Sequence, residues 1–323
     1  MAGRNRSPLI ESTEALRFEP HRIALDRTGR YDEPFDREFP LVIKLFHFQS
    51  GRYTPGLTWH DRLELFIPVD GRARLRMGER TVDLAPCELC VVDNLKLHCV
   101  LDFPGFDSRV VVISFLPEFV YSLGSSSHDY TFLLPFYLQG TGLPQVVRQG
   151  AGLQPQIHAA VASLLRCYFG SEDQRLREAG CKVYCLELLY HLARHFRSAE
   201  LLKSEFLRQQ ERAEKLRALF EFVSRRYSEP MALREAAALA SMSQPQFIRT
   251  FKRVAGMTFV SYLTHVRLTN AHRLLLDSTQ TIAEIASRVG FSDQSYFDRR
   301  FKAAFGQTPR QVRSRAAGAS KSS

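Results

Sequence analysis

Residues 233–256, LREAAALASMSQPQFIRTFKRVAG, and residues 282–306, IAEIASRVGFSDQSYFDRRFKAAFG, are two copies of one pattern and align with a single one-residue insertion. Each copy opens with an Ala-rich amphipathic run and breaks at a short polar turn. A Ser then stands where an N-cap accepts the amide hydrogens of the next helix, Ser243 in the first copy and Ser292 in the second. That second helix carries Phe247 and Phe251, or Phe297 and Phe301, at i and i+4, so both rings lie on one face and pack back onto the helix before them. Gly256 and Gly306 close the copies as left-handed C-caps. Two short helices joined by a tight turn, the second polar and basic on its outer side, describe a helix-turn-helix.

On that outer side the first copy shows Gln244, Gln246, Arg249, Thr250 and Arg253; the second shows Asp293, Gln294, Ser295, Asp298, Arg299 and Lys302. Gln and Arg form paired hydrogen bonds with adenine and guanine edges, whereas Lys, Ser and Thr suit phosphate oxygens. The predicted partner is double-stranded DNA. Between the copies, residues 259–277 contain neither Gly nor Pro and read as one helix. It would be roughly 28 Å long, close to the roughly 34 Å between successive major-groove openings on one side of DNA. One monomer then reaches two adjacent grooves.

Charge divides the same way. The chain of 323 residues has a net charge of +10. Residues 213–323 hold 18 Lys/Arg against 8 Asp/Glu, which is the whole excess, and the first 212 residues hold 26 of each. A basic domain attached to a neutral one predicts a polyanion partner for the basic part only, with an affinity that falls as salt rises.

Residues 233–309 resemble the C-terminal domain of the AraC/XylS family of bacterial transcription regulators. The resemblance is carried by Arg267, Ala271, Leu274 and Leu275 of the connecting helix, by the I-A-x-I-A-x-x-V-G-F-x-x-x-S-Y-F run from Ile282 to Phe297, by F-K-x-x-F-G from Phe301 to Gly306, and by Thr308-Pro309. It implies a homodimeric regulator, expected to be an activator, with RNA polymerase as a further partner.

The N-terminal half has a different texture. From residue 41 to about 119, short β-branched and aromatic runs alternate with G-R, D-G-R, G-E-R and F-P-G turns, which indicates a sandwich or small barrel. His60-x-x-x-Glu64, Gly71 and His98 resemble the two motifs of a cupin barrel, so the expected fold is α+β in two domains. These are an N-terminal cupin-like β-barrel with a helical dimerisation segment, and a C-terminal all-α domain with two helix-turn-helix motifs joined by a long helix. In metal-dependent cupin enzymes a further His stands where this chain has Thr58, and Glu88 replaces a motif Gly. Three readings of His60, Glu64 and His98 follow. They hydrogen-bond a small effector, with Trp59, Arg62, Tyr53 and Phe66 as neighbours; they hold a metal; or His60 and Glu64 only satisfy each other in a core. The first is preferred, with no cofactor, and the competing class is a cupin-type metal-dependent enzyme fused to a DNA-binding domain.

Arg72, Arg74 and Arg76 alternate with Ala73, Leu75 and Met77, so period-2 geometry turns three guanidinium groups outward. They form either a solvated strand face or an anion site for a phosphate-bearing or cyclic nucleotide; a sugar-like effector is the other expectation. Cys87, Cys90, Cys99, Cys167, Cys181 and Cys185 are expected to be reduced, small buried residues.

Residues 156–169 and 175–197 read as helices. The second is apolar on more than half its circumference, more than one barrel covers, and predicts a partner subunit. The expected divisions are 1–150 for effector sensing, 151–197 for dimerisation, 198–212 as linker, 213–312 for DNA binding and 313–323 as a disordered tail. No run of 18 apolar residues and no apolar N-terminal segment occurs, so a cytoplasmic protein without membrane insertion is expected.

Overall fold

The computed structural model describes residues 7–21, 31, 36, 38–52, 58–60, 62–93, 97–120, 129–137, 146–196, 211, 215–216, 218–223, 225–255, 257–277 and 279–319. The N-terminal part contains α1 (Pro8–Thr13), β1 (Glu19–Pro20), β2 (Leu41–Phe48), β3 (Gly51–Arg52), β4 (Leu63–Pro68), β5 (Ala73–Met77), β6 (Arg80–Leu84), β7 (Leu89–Val92), β8 (His98–Phe103), β9 (Ser108–Phe115), α2 (Leu134–Tyr137) and β10 (Val146–Val147). Two long helices follow, α3 (Gln154–Tyr168) and α4 (Gln174–His195). Tyr53, the Gly256 cap and nearly all of the 198–212 linker lie outside the described residues.

The strands form two sheets, one of six in the order β1-β2-β9-β4-β7-β10 and one of four in the order β3-β8-β5-β6. Among the described residues no ladder joins them, so the closed cupin-like barrel expected from the sequence is corrected to two facing open sheets. The six-stranded sheet is buried on both sides, which explains its nearly unbroken apolar strands. Leu63, Leu65, Ile67, Leu89, Val91, Val111, Ile113 and Phe115 pack with Ile157, Val161, Leu164, Cys185, Leu188 and Leu189 of α3 and α4. Their alternates Phe66, Cys90, Val92, Val110 and Val112 meet Phe48, Ala73, Leu75, Met77, Val82, Leu84 and Phe103 between the sheets.

The C-terminal part consists of α5 (Leu233–Leu239), α6 (Gln244–Ala255), α7 (Phe259–Asp277), α8 (Ile282–Arg288), α9 (Gln294–Phe305) and α10 (Pro309–Ala319). Helix α7 runs the full predicted span. Its first half lends Phe259, Tyr262, Leu263 and Val266 to one core with Phe247 and Phe251. Its second half lends Leu268, Ala271 and Leu275 to another core with Phe297, Phe301 and Phe305. At 100° per residue these two sets fall on nearly opposite sides of the helix. One rigid rod therefore holds two helix-turn-helix units.

The turns of the two units are built alike. The amide of Met242 donates to the Ala237 carbonyl and that of Phe291 to the Ala286 carbonyl, each at 2.9 Å. The residue before each amide, Ser241 or Gly290, is left-handed, with φ of 53° and 92°. At Gly290 a Cβ would also run into the Ser228 carbonyl and the Arg267 guanidinium, so glycine is required there twice over. Arg267 itself donates to the carbonyls of Tyr227 (2.7 Å) and Glu229 (2.8 Å), tying α7 to the turn that precedes α5. Thr281 and Glu284 form a reciprocal capping box at α8. Gly306, with φ of 71°, closes α9 as predicted.

Two local expectations are corrected. The N-cap of α9 is Asp293, whose carboxylate accepts from the Tyr296 amide at 2.5 Å; Ser292 is the inserted residue of the longer turn. The segment 313–323, expected as a disordered tail, is entered by α10, which Thr308 and Gln311 cap reciprocally with Pro309 in the first turn.

The two domains share a core. Trp59, Leu97 and Cys99, from the N-terminal part, are buried together with Leu216, Leu219, Phe220, Tyr262 and Val266. The Trp59 indole stacks on Phe220 with ring centroids 5.1 Å apart and planes at 30°.

Candidate DNA interface and effector site

The stripe of Phe247, Phe251, Val254 and Ala255 fixes the rotation of α6 about its axis. It leaves Gln244, Gln246, Arg249 and Arg253 exposed, as the sequence predicts. Thr250 is corrected. It is buried, because it stands three residues after Phe247 and four before Val254 on the core side, a position the phenylalanine spacing itself marks. In α9, Gln294, Ser295, Arg299 and Lys302 are exposed, and Asp293 serves the cap. Asp298 is only half-exposed, and burial pushes its carboxyl above the usual range while Gln294 pulls it back.

The structure adds Ile248, Lys252, Tyr296 and Arg300 to these faces, all exposed. Ile248 at 47% and Tyr296 at 45% exposure are the large apolar surfaces of the two helices, and a thymine methyl is the base feature that takes apolar contact. A search for hydrogen-bonding residue types passes over them. Their signal is an apolar residue off the core stripe.

In the N-terminal domain His60, Glu64 and His98 converge. Glu64 lies on the face of β4 that looks between the sheets. Its Oε2 is 3.3 Å from His60 Nε2 and 3.9 Å from Arg62 Nε, and its Oε1 is 3.8 Å from His98 Nε2. The Ser114 hydroxyl donates to Glu64 Oε2 at 3.2 Å. The two imidazole rings meet edge to face with centroids 4.8 Å apart. Burial alone would raise the Glu64 carboxyl; His60, His98 and Arg62 outweigh it and hold the group down to about 2. The Arg62 guanidinium lies 4.2 Å over the Tyr31 ring.

Thr58, which stands where a fourth cupin ligand would be, donates its hydroxyl to the His98 carbonyl at 2.9 Å and pairs with that residue across an antiparallel bridge. Trp59, counted from the sequence among the effector neighbours, turns away from the cluster and into the domain seam, as strand alternation requires. Phe66 faces the inter-sheet core.

The arginine row does face outward, with Ala73, Leu75 and Met77 buried beneath it. Two of its members are engaged within the chain, contrary to a free anion site. Arg74 Nε donates to Asp83 at 2.6 Å and Arg74 Nη1 to Asp102 at 3.4 Å. Arg76 Nε donates to the Gly78 carbonyl at 3.0 Å. Arg76 also faces α7, where burial first and this guanidinium second lower His265 to about 3. Arg72 is exposed. Five of the cysteines are buried and Cys167 half-buried. Burial pushes the Cys87 thiol up to about 11 and those of Cys90, Cys99, Cys181 and Cys185 to about 12, which suits inert packing.

On α4, Leu176, Val183 and Tyr190 recur every seven residues and are 66%, 62% and 50% exposed. Among the described residues no helix is long and apolar enough to cross a membrane.

Residues 236–315 match the helix-turn-helix domain family HTH_18. Along most of its length the chain is similar to two bacterial regulators. One is the uncharacterised HTH-type transcriptional regulator YdeC of Bacillus subtilis, 22% identical over 258 residues, which are 80% of this chain and 85% of YdeC. The other is the HTH-type transcriptional regulator ExsA of Pseudomonas aeruginosa, 28% identical over 255 residues, 77% of this chain and 85% of ExsA. Among solved structures, unsaturated fatty acid bound ToxT of Vibrio cholerae is 13% identical, covers 87% of this chain and 97% of its own, and superposes with a TM-score of 0.49. A transcriptional regulator of Chromobacterium violaceum with an AraC-type DNA-binding domain is 28% identical and covers 32% of this chain and 93% of its own, with a TM-score of 0.31.

Proposed function

With residues 236–315 an AraC/XylS-type helix-turn-helix domain, we propose that the chain is a sequence-specific transcription activator whose DNA affinity is set by an effector bound in the N-terminal domain. The observation that carries this is the pair of recognition helices, α6 and α9, held by one 19-residue helix with their polar and basic faces outward. Bases are read by Gln244, Gln246, Arg249, Gln294 and Arg299, with apolar contact from Ile248 and Tyr296; Lys252, Arg253, Arg300 and Lys302 engage phosphates.

The effector acts near the His60, Arg62, Glu64 and His98 cluster, because that cluster adjoins Trp59, Leu97 and Cys99, which are built into the core of the first helix-turn-helix unit. A change there moves Trp59 and Leu97 and so shifts Phe220 and Tyr262. The arginine row is set aside as an effector site, since Arg74 and Arg76 already spend donors on their own chain. A second copy covers the Leu176, Val183 and Tyr190 stripe of α4, whose seven-residue spacing suits a helix-to-helix seam. The dimer then presents four recognition helices, and RNA polymerase is the partner an activator needs.

The direct test is Arg249→Ala, measured by fluorescence anisotropy on the selected operator and on operators changed one base pair at a time. Specific affinity falls by about 1–3 kcal/mol and preference relaxes at one position. Equal weakening on every sequence removes Arg249 from base readout and makes it a phosphate contact.

A further inference from the structure

The two recognition helices correspond residue for residue around their phenylalanines, and the correspondence isolates one difference. With Phe247 set against Phe297, Gln244 falls on Gln294, Arg249 on Arg299 and Lys252 on Lys302. Both glutamines open a 12-residue helix, at the end where a recognition helix meets base edges. Four residues further on, where a side chain lies beside that of the glutamine, the first helix has Ile248 and the second has Asp298. An acid on a surface that faces a polyanion lowers affinity. Only a gain of another kind offsets that loss.

The surroundings of the carboxyl narrow what the gain is. Asp298 is half-exposed, and its Oδ1 is shut off from solvent with no hydrogen-bond partner among the described residues. Burial pushes the group up and the Gln294 side chain pulls it back; no cation is among the influences on it. A hydrogen bond that pulls a carboxyl down is one donated to its charged form. A carboxylate only accepts, so the Gln294 amide turns its NH2 end to Asp298 and its carbonyl end away. One amide hydrogen is then taken, and the side chain presents one N–H beside one C=O. Ile248 offers Gln244 no such hold.

We propose that Asp298 is a positioning residue for DNA readout: it fixes the polarity of the Gln294 amide, so that the second recognition helix accepts adenine and rejects guanine at one base pair, while lowering affinity for DNA in general. In the major groove adenine shows N7, an acceptor, beside its N6 amine, a donor, which complements one N–H and one C=O. Guanine shows two acceptors, N7 and O6, and its O6 would meet the Gln294 carbonyl. An amide released from Asp298 swings its NH2 onto that guanine edge. The first helix is then the more tolerant of the two, since Gln244 adapts to either purine. The proposal rests on base reading by Gln294, proposed above, and adds what decides the base.

The test measures full-length protein by fluorescence anisotropy on the selected operator, on duplexes carrying each single base-pair change, and on an unrelated duplex. Gln294→Ala identifies its base pair as the one where discrimination is lost. A good bidentate contact discriminates there by about 5–150-fold. Asp298→Ala and Asp298→Asn both erase most of the adenine preference at that same pair, the second because a carboxamide donates as well as accepts and so holds either end of the glutamine. The double variant Gln294→Ala with Asp298→Ala discriminates no worse than Gln294→Ala alone, since nothing is left to release. The unrelated duplex binds Asp298→Ala at least as tightly as the unaltered protein, one negative charge having gone. Weakening by the same factor on every duplex overturns the proposal and makes Asp298 a support of the helix, which its melting temperature then shows. Lost discrimination at a different pair also overturns it and makes Asp298 a reader of its own base, a cytosine amine being what a carboxylate accepts from. Full discrimination in both Asp298 variants refutes the positioning role while base reading by Gln294 stands. A Gln294→Ala variant that relaxes no pair refutes base reading by Gln294 itself, and the proposal with it.

Discussion

Replacing Trp59 and Phe220 by alanine, singly and together, tests whether the two domains share one core. Both side chains are essentially inaccessible, at 1% and 0% exposure, and their rings stack at 5.1 Å. Truncating a buried aromatic to alanine costs about 3–5 kcal/mol through lost burial and the cavity left behind. An offset-stacked pair contributes about 0.5–1.5 kcal/mol beyond burial. The double variant therefore loses less than the sum of the single losses, by about 0.5–1.5 kcal/mol. Urea unfolding followed by far-ultraviolet circular dichroism measures this, since Trp59 is the sole tryptophan and its own emission vanishes in two of the three variants. In Phe220→Ala that emission remains, and it shifts to the red as the indole loses its apolar cover. The reasoning is refuted if the losses add within about 0.3 kcal/mol, the behaviour of residues that do not touch.

Two further outcomes follow from local structure. Asp293→Ala removes the carboxylate that caps α9 and costs about 0.5–2 kcal/mol, whereas Ser292→Ala stays within about 0.5 kcal/mol; thermal denaturation of the two variants side by side decides which residue is the cap. His265, lowered from 6.5 to about 3 by burial and then by Arg76, makes stability depend on acid. Below about pH 6.5 the unfolded chain takes up a proton that the folded one refuses, so stability falls as pH drops from there towards 3. The melting temperature therefore declines between pH 7.5 and pH 5, and an equal decline in His265→Gln would show that this histidine contributes nothing.

What the sequence determined by itself was everything that depends on neighbours along the chain. The period of the phenylalanines settled the helices and their inner faces. Gly306 marked a left-handed cap and Arg72 to Met77 a strand with one polar side, because backbone conformation and side-chain direction are local properties. The bounds of α7, the outward Gln244, Gln246, Arg249, Arg299 and Lys302, and the division of charge were legible on the same ground. The tertiary structure decided what depends on which surfaces meet. Whether short strands close into a barrel is a matter of pairing between edges far apart in sequence, and here they form two open sheets. Trp59 looks like a neighbour of His60 in sequence, yet alternation sends it across the domain boundary to Phe220. Arg74 and Arg76 read as a free row until Asp83, Asp102 and the Gly78 carbonyl are brought to them. His60, Glu64 and His98 could be grouped from the sequence by their likeness to the cupin motifs, but only the stacking of β4 against the start of β8 brings them into one buried cluster with Arg62 and Ser114.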